Sequence, residues 1–477
     1  TFRFSGFRDG HCHPLFAGRE LLGPSITGCD SIAEIQNVLR DYRAQNPDAR
    51  WIDCGSYNRN LAPGGRFLAE WLDAAVSDIP VVVHADDHHT CWVNTAALEI
   101  SGLTKEIPLL SSGSVDTDDA GRATGVLREW EAMNLVYIHQ PSLTIEEEIE
   151  SLAGAQLKLL QAGVVGVLDA WVDCGMEEIY LAAEDCDRLL LRTNLAPRIN
   201  PSQWQLDLEF AEQVRTRVET LNSPRLSCKT VKFFADGVFG SGTASVLEPY
   251  EFVDESANSH GEPVWTTENL TAALLSADLR GFQLHLHAIG DGGVRTALDA
   301  IEAVIRENPQ RDRRPVLAHV ELIADEDLAR FSELGVSVSL QPLWARPDDM
   351  LKSCAPRLGV TRLGELYRFR DLLNAGVQIG FGSDWPVSSP IPFEGIYTAV
   401  HRKLPHGNEV HHPRQRLTLA ESLAAYSTGS AYQLFQEDFV DVDWVELTAD
   451  PQSITAENWH QIKATRAYVA GRLIELS

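Results

Sequence analysis

The sequence predicts an α/β fold: a (β/α)8 TIM-like barrel with a large insertion after its first strand and a small β annex at the C-terminal end. Three observations carry that expectation. Short apolar runs rich in β-branched residues alternate with helix-like stretches. Eight such runs end in polar or ionisable residues, and the interval from residue 18 to 150 is far longer than one helix needs.

In order, the runs are GFRDGHCH (6–13), GVVGVLDA (163–170), LLRTNLAP (190–197), KTVKFFADG (229–237), GFQLHLHAIGD (281–291), RPVLAHVE (314–321), GVSVSLQP (335–342) and GVQIGFGSDWP (376–386). Between them, EEEIESLAGAQLKLLQAG closes on Gly163 as a helix C-cap, and GGVRTALDAIEAVIRENP keeps apolar residues at helical spacing up to Pro309. The barrel is therefore drawn over residues 1–17 and 151–437. The insertion, 18–150, has strand-like runs of its own (RWIDCGS and IPVVVHADD), a helix candidate in VNTAALEISG, and a hairpin in SGSVDTDDAGRATGVLRE turning at Asp119, Ala120 and Gly121. On the first βα loop of a barrel it is expected to lie over the catalytic mouth, where substrates are selected. After residue 437, DVDWVEL and KATRAYVAGRLIEL read as the strands of the annex, 438–477.

Composition excludes several classes of function. With 477 residues, 44% of them hydrophobic, the chain can bury a large core. Its 68 acidic and 40 basic side chains give a formal charge of −28, so phosphate backbones and anionic membranes are repelled, and neither nucleic acid nor membrane is an expected partner. No apolar run reaches the roughly 18 to 20 residues that span a bilayer. TFRFSGFRDG lacks the basic-then-apolar pattern of a signal peptide, so a cytoplasmic protein is expected; self-association is left open. The eight cysteines form no CxxC pair, which suits reduced thiols packed as small apolar groups.

Chemistry collects at the strand ends. Residues two apart in a strand face the same way, so His11 and His13 both point inward and can share one metal ion. Alone, that pair also fits two hydrogen-bonded histidines near a turn. Lys232 stands inside the apolar run VKFFADG, where a buried ammonium costs several kcal/mol unless it loses its charge or finds a partner. Addition of CO2 would make it an anionic, bridging carbamate; pairing with Asp236 is the plainer alternative. His285 and His287, again two apart, His319 in VLAHVE and Asp384 in GFGSDWP complete the series. Cores do not gather ionisable groups at one rim, so packing explains the series poorly. Imidazole nitrogen with carboxylate oxygen suits zinc, with manganese, nickel or iron compatible.

GHCHP, KFFADGVFGSGTA followed by EPY, HLHAIGD, LAHVE and GSDWPV resemble the motifs of the amidohydrolase superfamily, and most closely its amidohydrolase-3 branch, the YtcJ-like proteins that include N-substituted formamide deformylases. Within the insertion, DDHHTCWVN resembles that branch's HxxWxN pattern through His89, Trp92 and Asn94. The resemblance implies that His11 and His13 bind the more buried ion. It further implies that carbamylated Lys232 bridges to a second ion held by His287 and His319, and that Asp384 touches the first ion and moves protons. His285 is left as a residue behind the ligands or in the pocket, and Tyr250 after the SGTA segment is a further pocket candidate.

The implied activity is metal-dependent hydrolysis of a non-peptide C–N bond (amide, formamide or cyclic amide) in a small molecule. Metal-activated hydroxide would attack, Asp384 would return its proton to the leaving amine, and His89 would hydrogen-bond the developing oxyanion beside Trp92 and Asn94. For Trp92 and Asn94 a core tryptophan and a helix cap fit the sequence equally well. Hydrolysis of lactones, esters or phosphoesters is the alternative activity, and a non-catalytic ligand-binding barrel a third. The branch usually carries a two-part β annex. Since ten residues precede His11, either an N-terminal part is missing from the sequence or the C-terminal strands form a reduced annex alone.

Overall fold

Parallel strands cannot be joined by a tight turn, so each pair needs a crossover, and this chain supplies helices for that purpose. The computed structural model describes residues 2–85, 88–110, 113–252 and 258–476. Its strands, in chain order, are β1 (Phe2–Phe4), β2 (Phe7–Cys12), β3 (Ile52–Tyr57), β4 (Val81–Ala85), β5 (Thr90–Val93), β6 (Ser114–Thr117), β7 (Ala123–Arg128), β8 (Val164–Val172), β9 (Arg192–Pro197), β10 (Leu226–Ser227), β11 (Thr230–Phe234), β12 (Gln283–Ala288), β13 (Val316–His319), β14 (Ser337–Leu340), β15 (Ile379–Phe381), β16 (Trp444–Leu447), β17 (Ala464–Val469) and β18 (Arg472–Glu475). The chain divides into two compact units, Thr1–Pro14 with Gln156–Ser477, and Leu15–Ala155.

In the first unit two parallel sheets run β10-β9-β8-β2 and β11-β12-β13-β14-β15. The helices Met176–Asp185, Trp204–Leu221, Thr267–Leu279, Asp291–Glu307 and Asp325–Glu333 lie between successive strands. Strands covered on both faces read as near-continuous apolar runs, and every residue of β12 is buried. Both pairs of sheet edges carry further main-chain links. Ile199 N donates to Lys232 O at 2.8 Å, Asp384 N to His11 O at 2.7 Å and His13 N to Trp385 O at 2.8 Å. The helix Asp291–Glu307 ends at Asn308, directly before Pro309, and buries Val294, Leu298, Ile301 and Val304 along one stripe.

The terminal sheet is antiparallel in the order β1-β16-β17-β18. It therefore reaches beyond residues 438–477: Phe2 pairs with Leu447 and Phe4 with Val445, and Phe4 packs on Phe7 with ring centroids 4.7 Å apart. Three residues are too few to show an alternating pattern, which is why FRF escaped the sequence reading. A buried ion cluster fastens this sheet to the strands, with Arg192 Nε donating to Asp443 Oδ2 at 2.5 Å and Arg8 Nη2 lying 3.8 Å from the same oxygen.

The second unit holds a mixed sheet, β3-β4-β5-β7-β6, with β3 and β4 parallel and the remaining pairs antiparallel. β6 and β7 form the hairpin, turned by Asp118, whose Oδ1 accepts from Ala120 N at 2.9 Å and Arg122 N at 3.0 Å. Its core gathers Ile35, Leu39, Tyr57, Phe67 and Trp92. Asp86 and Asp87 of the DDHHTCWVN stretch, and Ser112 ahead of the hairpin, lie outside the described residues. Among the described residues no helix is long and apolar enough to cross a membrane, and all eight cysteines are free.

Candidate metal centre

The end of β2 is held against the segment after β15 by a buried carboxylate. Asp9 accepts from His11 N at 3.1 Å, Ser383 N at 2.9 Å and Ser383 Oγ at 2.5 Å, and burial pushes its pKa up to about 6. Gly382 makes the crossing feasible, since a Cβ there would stand 2.6 Å from His11 N. Asp384 and His319 both adopt left-handed backbone (φ 56 and 76), a conformation that costs a non-glycine residue energy and that clusters at functional sites.

These constraints bring His11, His319 and Asp384 together, each offering a ligand atom within 4.8 Å of the others. Asp384 Oδ1 lies 2.9 Å from His13 Nε2 and 3.3 Å from His11 Nε2. The His287 ring stands 4.5 Å from that of His319, centroid to centroid. His285 lies one step deeper in β12, in register with Lys232, and its Nε2 is hydrogen-bonded to His11 Nδ1 at 2.9 Å. Lys232 is 1% exposed, with its ammonium 4.6 Å from the Phe234 ring centroid. Among the described residues no carboxylate pairs with it. Asp236, the partner weighed from the sequence, instead accepts from Ser245 N, Ile289 N and Gly290 N at 2.9 to 3.0 Å.

Electrostatics favours the ligand forms. Burial drives His11, His285 and His319 well below the ordinary imidazole range, with Lys232 adding most for the first two and His287 for the third. For His13 burial acts downward too, but the nearby carboxylates of Asp169, at 3.9 Å, and Asp384, at 2.9 Å, raise the pKa overall. Asp384 is lowered: burial pushes it up, and His13, His319 and Lys232 together outweigh that. Burial brings Lys232 down to about 7, with Asp384 opposing. Neutral imidazoles beside an ionised carboxylate are the donor set a divalent ion takes.

Several supporting residues were invisible beforehand. Gln341 Oε1 accepts from His319 Nδ1 at 2.8 Å, which leaves Nε2 as the nitrogen with a free lone pair. Trp344 stacks on the same ring at 5.4 Å and 8°. Gly237 O lies 3.0 Å from His287 Nε2, and Tyr180 donates to Asp169 Oδ2 at 2.5 Å behind His13. The signal available was the polar end of GVSVSLQP, which resembles the other runs but carries a residue type seldom read as functional. Arg198, directly after β9, pairs with Asp173 at 2.8 Å.

Trp92 and Asn94 have other roles, and Tyr250 makes a local hydrogen bond. Trp92 is 0% exposed in the core of the second unit, against Tyr57 and Phe67, with Nε1 donating to Leu68 O at 2.9 Å. Asn94 caps the helix Thr95–Ile100: Oδ1 accepts from Ala97 N and Val81 N at 3.0 Å, and Nδ2 donates to Val76 O and Ile79 O at 3.0 and 2.9 Å. With every polar atom of Asn94 engaged and Trp92 enclosed, neither can line a pocket; the core-and-cap alternative is the one realised. The Tyr250 hydroxyl donates to Ala244 O at 2.7 Å, fastening the SGTA segment. His89, in the second unit, is hydrogen-bonded to Glu129 Oε2 at 2.8 Å.

The profile of the amidohydrolase family (Amidohydro_3) matches residues 4–474. The chain belongs to this family. It is 25% identical to the putative amidohydrolase YtcJ of Bacillus subtilis, over 99% of this chain and 88% of that protein. It is 29% identical to the Arabidopsis thaliana protein LONG AFTER FAR-RED 3, covering 96% of this chain and 78% of the other. It is 23% identical to the N-substituted formamide deformylase of Arthrobacter pascens, covering 98% and 87%. Among solved structures, an uncharacterized metal-dependent hydrolase of Pyrococcus horikoshii superposes with a TM-score of 0.73 at 25% identity, covering 94% of this amidohydrolase and 86% of that chain.

Proposed function

We propose that this amidohydrolase is a metal-dependent hydrolase that cleaves a non-peptide carbon–nitrogen bond of a small molecule, with its two parallel sheets closed into a (β/α)8 barrel. The observation that carries the reading is the convergence of His11, His319 and Asp384 within 4.8 Å, with His13 on Asp384 and His287 against His319. The metal-dependent hydrolase of P. horikoshii and the formamide deformylase of A. pascens, both similar over most of the chain, support it.

His11, His13, His287, His319 and Asp384 would hold one or two divalent ions, zinc being what imidazoles with one carboxylate suit best. When bound, such an ion lowers the pKa of water and polarises a carbonyl. The remaining work belongs to the chain. Asp384, ionised and hydrogen-bonded to His13, accepts a proton from the attacking water and delivers it to the leaving nitrogen. Gln341 fixes the His319 tautomer, and Asp9 with Ser383 holds the backbone of His11 and Asp384 in place. Lys232, with a pKa of about 7, carries a large uncharged fraction at neutral pH; its Nζ lone pair can add to CO2 and release a proton, giving an anionic carbamate that would serve as a further oxygen ligand.

The test joins metal analysis of the purified chain to turnover of N-alkylformamides, N-acyl amines, lactones and aryl esters. Divalent metal at about one to two ions per chain with release of amine is the expected result. A folded preparation that takes up no divalent ion sinks the metal reading, and turnover of esters alone sinks the C–N reading.

A further inference from the structure

Arg402 is a buried cation that has no counter-ion among the described residues. It caps the C-terminal end of the helix Pro392–His401 in left-handed backbone (φ 56), its N–H donating to Thr398 O at 2.7 Å. The side chain turns inward and is 0% exposed. Nε donates to His411 O at 3.2 Å while His411 N donates to Arg402 O at 2.8 Å, a reciprocal pair that closes the intervening loop. The guanidinium carbon lies 4.9 Å from the Phe369 ring centroid. Nη1 and Nη2 are both buried, and neither has a hydrogen-bond partner among the described residues.

Several polar groups of the surrounding segments are engaged with other partners. His411 Nε2 and His412 Nδ1 lie 3.3 and 3.4 Å from Leu366 O, and Arg416 Nε donates to His401 O at 3.3 Å. Gln415 Oε1 accepts from Asp371 N at 3.1 Å, and the Tyr367 hydroxyl is turned to Glu321 Oε2 at 2.9 Å. The carboxylates that act on the two imidazoles, Glu365 and Glu409, are exposed, and Glu409 pairs with Lys352 at 3.0 Å. In a chain of net charge −28, this corner gathers Arg402, Arg416, His411 and His412 with no carboxylate on the guanidinium.

An uncompensated buried charge costs several kcal/mol, and arginine does not escape that cost by losing its proton near neutrality. Two parallel N–H groups present a fork that fits either both oxygens of a carboxylate or one halide. We infer that Arg402 anchors a buried site for a small monovalent anion, a halide or a short carboxylate, which fastens the 402–416 segment to Leu366–Phe369. Full enclosure favours a small ion over a phosphate ester. The anion would also steady Tyr367, whose hydroxyl donates to Glu321, two residues beyond His319.

Crystals of the full chain grown in sodium bromide and in sodium formate test the site directly. An anomalous bromide peak, or planar formate density, at Nη1 and Nη2 is the expected result, and which of the two occupies the fork assigns halide or carboxylate. Melting temperature in chloride, bromide and formate against gluconate at matched ionic strength gives a second readout. A saturable rise with the small anions, flat in gluconate and lost in Arg402→Met, is expected. Arg402→Lys keeps the charge without the fork, and its saturation midpoint should weaken about tenfold. Ordered water alone at Nη1 and Nη2 in both crystals, or the same melting shift in gluconate, overturns the inference. The wild-type crystals decide the matter even if Arg402→Met does not fold.

Discussion

His11, His285 and His319 of the first unit and His84 of the second are buried alike, yet their pKa values are shifted in opposite directions. His11, His285 and His319 face one another and Lys232, and they are held far below the usual imidazole range by burial first and by cationic neighbours second. His84, in the second unit, is also buried, yet its pKa is raised: burial lowers it, while Asp53 at 3.0 Å and Glu20 outweigh that effect. Tyr137 stands beside it, its hydroxyl 2.7 Å from His84 Nε2. The difference lies in the supply of carboxylate. Asp384 is shared by His11 and His13, and His11, His285 and His319 are pushed down; His84 has Asp53 to itself and is pushed up.

The comparison can be broken most severely at its shared carboxylate. Asp384→Asn should lower kcat by about 10³-fold while metal content by elemental analysis stays near wild type. Wild-type turnover in that variant would end the proton-transfer role. Next in size is Trp92→Ala, expected to cost about 3 to 5 kcal/mol in urea unfolding without changing kcat/KM of the folded enzyme. A pocket residue would show the reverse, with activity lost and stability kept.

Gln341→Leu should weaken metal affinity about 10- to 100-fold in a chelator competition, and Gln341→Glu, which keeps the acceptor on His319, should recover most of it. The smallest effect concerns pH. The folded pKa of His84 lies above its reference value of 6.5, so it contributes stability that is fully present below that value and is lost as pH rises through the folded pKa. Over about pH 5 to 9, the urea midpoint of wild type should therefore fall more than that of Asp53→Asn. Parallel curves would show that Asp53 does not hold the proton on His84.

The grouping of His11, His319 and Asp384 was legible because strands have a period of two. An ionisable residue at the inward end of an apolar run stands out, and His11, His13, Lys232, His287, His319 and Asp384 all did. The rest failed for identifiable reasons. Gln341 acts through one oxygen on His319, and nothing in GVSVSLQP distinguishes that from a surface glutamine. Trp92 and Asn94 sit in a motif that resembles a functional one, but motif identity does not reveal that the tryptophan is enclosed or that the asparagine amide is saturated by backbone. Strand β1 is too short for its pattern to show, and only pairing with β16 defines it. The interruption between β10 and β11 likewise depends on partners, since the two pair with β9 and β12 respectively.

The Asp9–Ser383 clasp has a consequence for when the centre can exist. Its two halves are separated by 374 residues, and His11 and Asp384 ride on either side of it. During synthesis the first histidine pair leaves the ribosome long before the acid that completes the grouping. Closing so long a loop is entropically unfavourable and slow, so the clasp forms only once residues 9 to 383 are all available. A nascent chain stalled ahead of β15 would display the histidines of β2, β12 and β13 without Asp384. The three ligand atoms of His11, His319 and Asp384 therefore come together only after the segment that follows β15 has been made.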